Sequence, residues 1–155
     1  MAMAEPELCS FDKLKQWLPK LMDGNPKRMS PCTKRYNCLA WAAGCARKKW
    51  APNGRNYWPN GIPPNWNIDT IVRIFGEVLG YERCDSEELE PGWEKVAIYA
   101  SGYVFEHAAR QKETGKWTSK LGNLLDIDHD TLDCLAGGDY GSVVRVMKRR
   151  RTIRP

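Results

Sequence analysis

The side chains with the clearest capacity for covalent chemistry are one cysteine and two histidines. Cys38 stands in the stretch YNCLAW (36–41), where it is predicted to begin a short apolar helix. The unpaired backbone N–H groups and the dipole at a helix start favour a thiolate, which attacks carbonyl carbons. A histidine within reach would serve as its base. The chain has only His107 and His129, so the pattern indicates a thiol hydrolase with one of them.

His107 is the better candidate for the general base. It lies in a segment, 103–111, that is predicted to form a strand. Because side chains alternate along a strand, Phe105, His107 and Ala109 are expected to share one face. His107 would activate the thiol and then protonate the leaving amine.

A catalytic histidine also needs a neighbour that fixes its tautomer. Ser119 fits this role by its position on the next predicted strand, and Asp126 fits by its carboxylate. Asp128 is a weaker option, because an acid at that place also caps a helix. The oxyanion hole would combine the Cys38 backbone N–H with a side-chain donor such as Asn37.

The same residues admit structural interpretations. Free cysteine is among the most buried residue types, so Cys38 could simply be a core side chain. A mixed zinc site is an open alternative, although its ligands lack the close pairs typical of such sites. Its ligands would be Cys32, Cys38, His107 and His129. The acids around His129 are better explained as helix caps, so no metal or other cofactor is predicted.

The order of the predicted elements indicates an α+β fold, with helices first and an antiparallel sheet after them. The apolar spacing predicts helices over 10–22, 38–48, about 67–79 and a short one ending at residue 135. Alternation and turn residues predict strands over 95–100, 103–111, 116–121 and 142–147. Residues 27–35 are polar and are predicted to be a loop.

Residues 50–66 combine Pro, Gly and Asn with three tryptophans. Such a composition favours neither regular structure nor disorder, and it predicts an ordered aromatic loop. The loop would form a wall for a peptide substrate, with Trp58 and Trp66 joining Asn37 and Trp41 as substrate-binding residues. The alternative is that its tryptophans pack into the core.

The basic character of the chain is concentrated at its end. Six of the 24 Lys and Arg residues fall within 145–155, and without them 18 basic residues would face 19 acidic ones. The sequence therefore predicts one domain over 1–147 and a basic tail over 148–155. The tail could contact nucleic acid, but no nucleic-acid-binding module accompanies it, so a solvated charge run is the simpler interpretation.

No secretion signal or membrane-spanning stretch is apparent. The six cysteines contain no Cys-x-x-Cys pair, and we expect them to be reduced thiols. These features predict a cytoplasmic protein, or one exported without a cleavable signal. The expected partner is a peptide or protein substrate, including peptidoglycan peptides, and the oligomeric state is not indicated.

Three stretches resemble the papain-like cysteine hydrolase superfamily, which includes the NlpC-related cell-wall amidases. NCLAWA (37–42) is similar to the nucleophile helix, HAAR (107–110) to the histidine strand, and WTSKLG (117–122) to the strand of the orienting residue. The chain also resembles uncharacterised bacterial proteins with similar NCxAWA and WTSKxG stretches. The resemblance implies a papain-like fold and hydrolysis of an amide bond through a thioester on Cys38.

The resemblance has a second register with a different implication. In the cell-wall amidase branch the catalytic histidine opens the strand that is VAIY (96–99) here, and Lys95 occupies that place. His107 would then occupy the position of the third, polar residue of the catalytic site, and the general base would be missing. The sequence thus leaves two leading functions, a Cys–His hydrolase or a papain-like binding module without catalysis, and a nucleic-acid-binding protein as a weaker third.

Overall fold

The computed structural model describes residues 10–30, 32–122 and 124–152, and its centre is one antiparallel sheet of seven strands. The strands are β1 Lys27–Ser30, β2 Glu82–Cys84, β3 Trp93–Ser101, β4 Val104–Gln111, β5 Trp117–Lys120, β6 Asp126–His129 and β7 Ser142–Arg150. Their order across the sheet is β1-β6-β5-β4-β3-β7-β2. The predicted α+β class, with a mainly antiparallel sheet, is confirmed.

The helices are shorter than the sequence predicts. They are α1 Phe11–Leu14, α2 Cys38–Ala42 and α3 Ile68–Arg73, which continues as a π-helical turn over Ile74–Val78. Two 3₁₀ turns cover Leu21–Gly24 and Asp133–Leu135. The prediction of a helix to residue 48 is wrong, because Gly44 takes a φ of 92° just after α2 and this left-handed conformation ends a helix.

Each face of the sheet carries its own apolar cluster. On the first, here called the helix face, Leu39, Ala40 and Ala42 of α2 pack with Ile98 and Ala108. On the other, here called the opposite face, the N-terminal helical residues and the Asp133–Leu135 turn pack with alternate strand residues. These strand residues include Ala97, Tyr99, Ala109, Trp117 and Ile127. Burial of the larger aliphatic side chains among these residues contributes roughly 1.5–3 kcal/mol each.

The four predicted strands are all confirmed, and three others are unexpected. β1 lies in the predicted loop 27–35 and pairs with β6, and β2 pairs with β7. The prediction of a helix start at β6 is wrong. Asp126 and Asp128 lie within this strand, where they pair with Lys120 and Thr118 of β5, and they do not cap a helix. The domain boundary after residue 147 is also wrong: β7 runs on to Arg150, and Lys148 and Arg149 form ion pairs with Glu90 and Glu94.

Residues 153–155 of the predicted tail lie outside the described residues. Within the described ranges, no helix is both long and apolar enough to cross a membrane.

Candidate functional site

The start of α2 is fixed by Asn37. Its side-chain oxygen accepts hydrogen bonds from the backbone N–H groups of Ala40 (3.1 Å) and Trp50 (3.3 Å). Its side-chain amide donates to the Trp50 carbonyl at 2.8 Å. Asn37 is therefore a helix cap that also ties the aromatic loop to α2. One of its two amide N–H donors is therefore committed to Trp50.

Cys38 is the first residue of α2 and lies half-buried against the helix-face cluster. Burial raises the pKa of its thiol to about 11. The N–H groups of Ala108, Leu39 and Cys38 itself, and the Lys120 ammonium, lower this pKa but do not outweigh burial. The helix start thus supplies the expected N–H groups, yet the thiol remains protonated near neutral pH.

A β-bulge in β4 changes the face on which Phe105 lies and leaves His107 on the face of Ala109. Tyr99 pairs with His107 but the next residue, Ala100, pairs with Phe105, so Glu106 is an extra residue on β4. The expectation that Phe105, His107 and Ala109 share a face is therefore wrong for Phe105, which packs in the helix-face cluster. His107 stays on the opposite face with its cross-strand neighbour Tyr99.

The imidazole of His107 is enclosed by aromatic rings. Its ring stacks on Tyr140 with centroids 4.2 Å apart and meets Tyr99 edge-on at 5.3 Å. The side chain is fully buried, and neither ring nitrogen has a hydrogen-bond partner among the described residues. Burial lowers the pKa of His107 well below its usual value, and nearby His129 lowers it further. His107 is thus a neutral imidazole that makes no hydrogen bond to Cys38.

Ser119 hydrogen-bonds to a different histidine. Its hydroxyl lies 2.8 Å from Nε2 of His129, and both side chains are fully buried. Nδ1 of His129 is 2.8 Å from the Thr131 carbonyl. Both nitrogens of His129 therefore have partners, and Ser119 does not orient His107.

Asp126 lies on the helix face, away from His107. One carboxylate oxygen accepts a hydrogen bond from Ser30, and the other accepts one from Tyr36 at 3.0 Å. The weaker candidate, Asp128, is paired with Lys112 at 2.7 Å. The structure thus divides the four predicted catalytic residues, with Cys38 and Asp126 on the helix face and His107 and Ser119 on the opposite face.

Lys95, which the second register places at the catalytic histidine position, is a fully buried residue of β3. Its ammonium bonds to the Ser86 carbonyl at 2.7 Å and to Glu90 at 2.6 Å. These bonds hold the loop before β3 against the sheet. Lys95 therefore has a structural role, and it supplies no base to Cys38.

The tryptophans predicted to bind a substrate are only partly available for that contact, because they also bond to or stack on other residues of the chain. Trp41 donates to Thr118 at 3.3 Å, and Trp58 donates to the carbonyls of Ile62 and Pro63. Trp66 stacks on Phe105 and is 36% exposed. The aromatic loop 50–66 is ordered, as predicted, with a bridge between Trp50 and Tyr57 as its only ladder pairing.

The prediction that all six cysteines are reduced thiols is wrong. Cys38, Cys45, Cys84 and Cys134 are free thiols, but Cys32 is disulfide-bonded. A disulfide sulfur is not a thiolate ligand, which argues against the mixed zinc site. Among the described residues, no three or more Cys, His, Asp or Glu side chains are placed to hold a metal ion.

One feature that the sequence analysis missed is Arg110, two residues beyond Ala108 on the helix face. Its guanidinium lies over the Trp41 ring, 5.3 Å from the centroid, beside the end of α2. The available signal was the charged Arg110 itself, within a segment predicted to be a strand. An arginine at such a place needs a specific neighbour.

Comparison with known proteins identifies a family but no activity. A family model described as "Domain of unknown function (DUF7689)" matches residues 27–148. No curated protein and no solved structure matches the chain. Because the match covers most of its length, the chain belongs to the DUF7689 family.

Proposed function

We propose that this DUF7689 member is a papain-like binding domain that recognises a peptide or protein segment without cleaving it. The observation that carries the proposal is the division of the predicted catalytic residues between two faces of the sheet. Cys38 packs with the helix-face cluster, whereas His107 contacts Tyr99 and Tyr140. A nucleophile and its base must lie within hydrogen-bond reach of each other, and these two do not bond.

The protonation states support the same conclusion. A thiol with a pKa of about 11 is ionised in roughly one molecule in ten thousand at pH 7. The depressed pKa of His107 keeps its imidazole neutral and makes it a weak proton acceptor. A papain-like enzyme depends on the reverse arrangement, in which the thiol gives its proton to the histidine.

Exposed aromatic side chains support a peptide or protein as the partner. Tyr57 is 37% exposed, Trp66 is 36% exposed, and Tyr103 at the β3–β4 turn is 80% exposed. Trp66 is next to this turn, because its carbonyl accepts the N–H of Phe105 at 2.9 Å. Aromatic residues are enriched at protein interfaces, where a rigid ring buries a large area at little entropic cost.

A thiol hydrolase is the second candidate, and two observations favour it. The backbone N–H groups of Ala108, Leu39 and Cys38 favour the thiolate of Cys38, and such groups at a helix start can also stabilise an oxyanion. The buried, unpartnered nitrogens of His107 cost stability, and such groups often mark functional sites.

Alkylation of Cys38 by iodoacetamide between pH 6 and 10 separates the two functions. For the binding domain, the rate should rise about tenfold per pH unit with no plateau, since only the thiolate reacts. The rate in His107→Gln should equal that of the unaltered protein. Tyr99→Phe is the matched control, because it perturbs the same face by removing a hydrogen bond to Leu132.

A plateau above an apparent pKa below about 8, lost in His107→Gln but kept in Tyr99→Phe, would establish the hydrolase instead. If the alkylation rate of Cys38 changes equally in His107→Gln and Tyr99→Phe, the change reports looser packing of the opposite face. Such a result shows no specific effect of His107 and therefore supports the binding domain.

A further inference from the structure

We propose that a cavity beyond the end of α2 binds the carboxylate of a ligand, with Arg110 as its principal contact. The cavity has a volume of about 500 Å³ and opens between the end of α2 and the strands β3, β4 and β7. This volume is in the range of small-molecule and peptide-end sites. Its charged lining residues are Arg110, Arg149, Arg151, Glu94 and Glu113.

Arg110 is held in place without using its hydrogen-bond donors. Its guanidinium lies over the Trp41 ring, and it makes no hydrogen bond or ion pair with a described residue. A side chain at position 44 would meet it, since a Cβ there would be 3.5 Å from Nη1. Gly44 thus leaves the guanidinium accessible, with its planar fork of N–H groups unused.

The other two arginines of the cavity are already compensated. Arg149 pairs with Glu94 and donates to the Leu79 carbonyl at 2.7 Å. Arg151 lies 3.8 Å from Glu94 and 3.7 Å from Glu113. These pairs fix the walls of the cavity, so the unsatisfied positive charge is that of Arg110.

A second unsatisfied group lies beside the same charged residues. Tyr81 is 5% exposed, and its hydroxyl has no hydrogen-bond partner among the described residues. Its ring packs under Arg149, with the guanidinium carbon 4.5 Å from the ring centroid. Burial and then Glu94 raise the pKa of Tyr81 to about 12, while the three cavity arginines oppose this rise. The hydroxyl is therefore within electrostatic reach of the cavity.

The balance of charge selects a carboxylate over a phosphate. Among the described lining residues, three arginines face two glutamates, an excess of one positive charge. A carboxylate carries one negative charge and matches the guanidinium fork with two parallel hydrogen bonds. A phosphate dianion would leave one negative charge uncompensated next to Glu94 and Glu113.

The inference is independent of the proposed function of the Cys38 site. The cavity begins at Ala43 and Gly44, about 8 Å along the helix axis from Cys38 at 1.5 Å per residue. Loss of carboxylate binding would leave the alkylation behaviour of Cys38 unchanged, so the two proposals fail separately.

The test is an NMR titration of the full chain with N-acetylglycine, followed at the arginine Nε–H and Gly44 amide signals. N-acetylglycinamide is the uncharged probe and inorganic phosphate is the dianionic one. Arg110→Gln should weaken N-acetylglycine binding by about tenfold or more, because it removes a charge-assisted bidentate contact. Arg145→Gln is the matched control, since Arg145 is a half-buried strand arginine outside the cavity.

Glu113→Gln provides a second variant at an exposed position, where folding is not at risk. It removes one negative charge from the cavity rim, and it should strengthen N-acetylglycine binding by about two- to fivefold.

Equal shifts with N-acetylglycine and its uncharged amide would overturn the proposal, as would binding that is insensitive to both Arg110→Gln and Glu113→Gln. Tighter binding of phosphate than of N-acetylglycine would overturn the choice of a carboxylate.

Discussion

The two ends of helix α2 carry thiols in opposite environments. Cys38 opens the helix beneath the cap of Asn37, and burial raises its pKa to about 11. Cys45 follows the helix, and its pKa is lowered. Burial also opposes ionisation of Cys45, but the N–H groups of Arg47 and Lys48, the Trp50 side chain and the Lys48 charge together outweigh it. The end with the favourable dipole therefore holds the less acidic thiol.

This difference shows that desolvation decides thiol acidity here. A five-residue helix has a weak dipole, and its N–H groups are of limited benefit to a thiolate that has lost water. At the far end, backbone N–H groups and Lys48 lower the pKa of the Cys45 thiol despite the cost of burial. A cysteine at a helix start is thus a weak indicator of a nucleophile where the cost of burying its sulfur is not outweighed.

The largest expected effect is in the relative reactivity of these two thiols. At pH 7, Cys45 should react with iodoacetamide faster than Cys38, by roughly 100-fold or more, because burial raises the pKa of Cys38 to about 11 whereas the pKa of Cys45 lies below its ordinary value. Peptide mapping of a brief alkylation measures the ratio. Cys38→Ser and Cys45→Ser assign the two rates. If Cys38 were modified first, the contrast between the helix ends would be lost.

The two buried histidines of the opposite face should make the fold sensitive to mild acid. Folding lowers the pKa values of His107 and His129, so below about pH 6.5 the unfolded chain binds protons that the folded chain does not. Stability is therefore full above pH 6.5 and falls as the pH drops below it, by at most about 1.4 kcal/mol per pH unit for each histidine.

Guanidinium chloride unfolding at pH 7.5, 6.0 and 5.0 measures this loss. In His107→Gln the slope between pH 6.5 and 5 should be reduced by about half, since one of the two titrating groups is gone. An unchanged slope would mean that His107 is accessible to protons in the folded chain, and it would weaken the case for a closed site.

A smaller effect is expected from the cap itself. Asn37→Ala removes the helix cap and both bonds to Trp50, and it should lower the free energy of unfolding by about 1–2 kcal/mol. Asn53→Ala is the control, because Asn53 accepts similar backbone bonds in an exposed part of the loop. It should cost less than about 0.5 kcal/mol. Equal losses would show that Asn37 does not join the loop to α2.

Four of the seven strands of the sheet are predictable from local pattern alone. β3, β4, β5 and β7 all alternate or run apolar between turn residues, and each lies where the sequence predicts a strand. β1, β2 and β6 are three or four residues long and polar, and they are stabilised by pairing with distant segments. No local pattern reports such pairing. Asp126 and Asp128 look like helix caps for this reason.

The candidate site is less predictable, because it depends on which face each side chain occupies. The prediction places Cys38 at a helix start and His107 on a strand, and both positions are confirmed. Their separation depends on strand faces and on packing, and the bulge at Glu106 changes the face of Phe105. A one-residue bulge leaves no signature in composition or spacing, and it changes which side chains meet.

The two border strands of the sheet, β1 and β2, are only four and three residues long. β1 and β2 have sequences KRMS and ERC, and charged side chains dominate both. An open sheet border exposes N–H and C=O groups that can pair with another chain and seed aggregates, and short charged strands discourage such pairing. This domain is thus protected against growth into fibrils by its least regular strands, and hydrophobic substitutions in β1 or β2 would remove that protection.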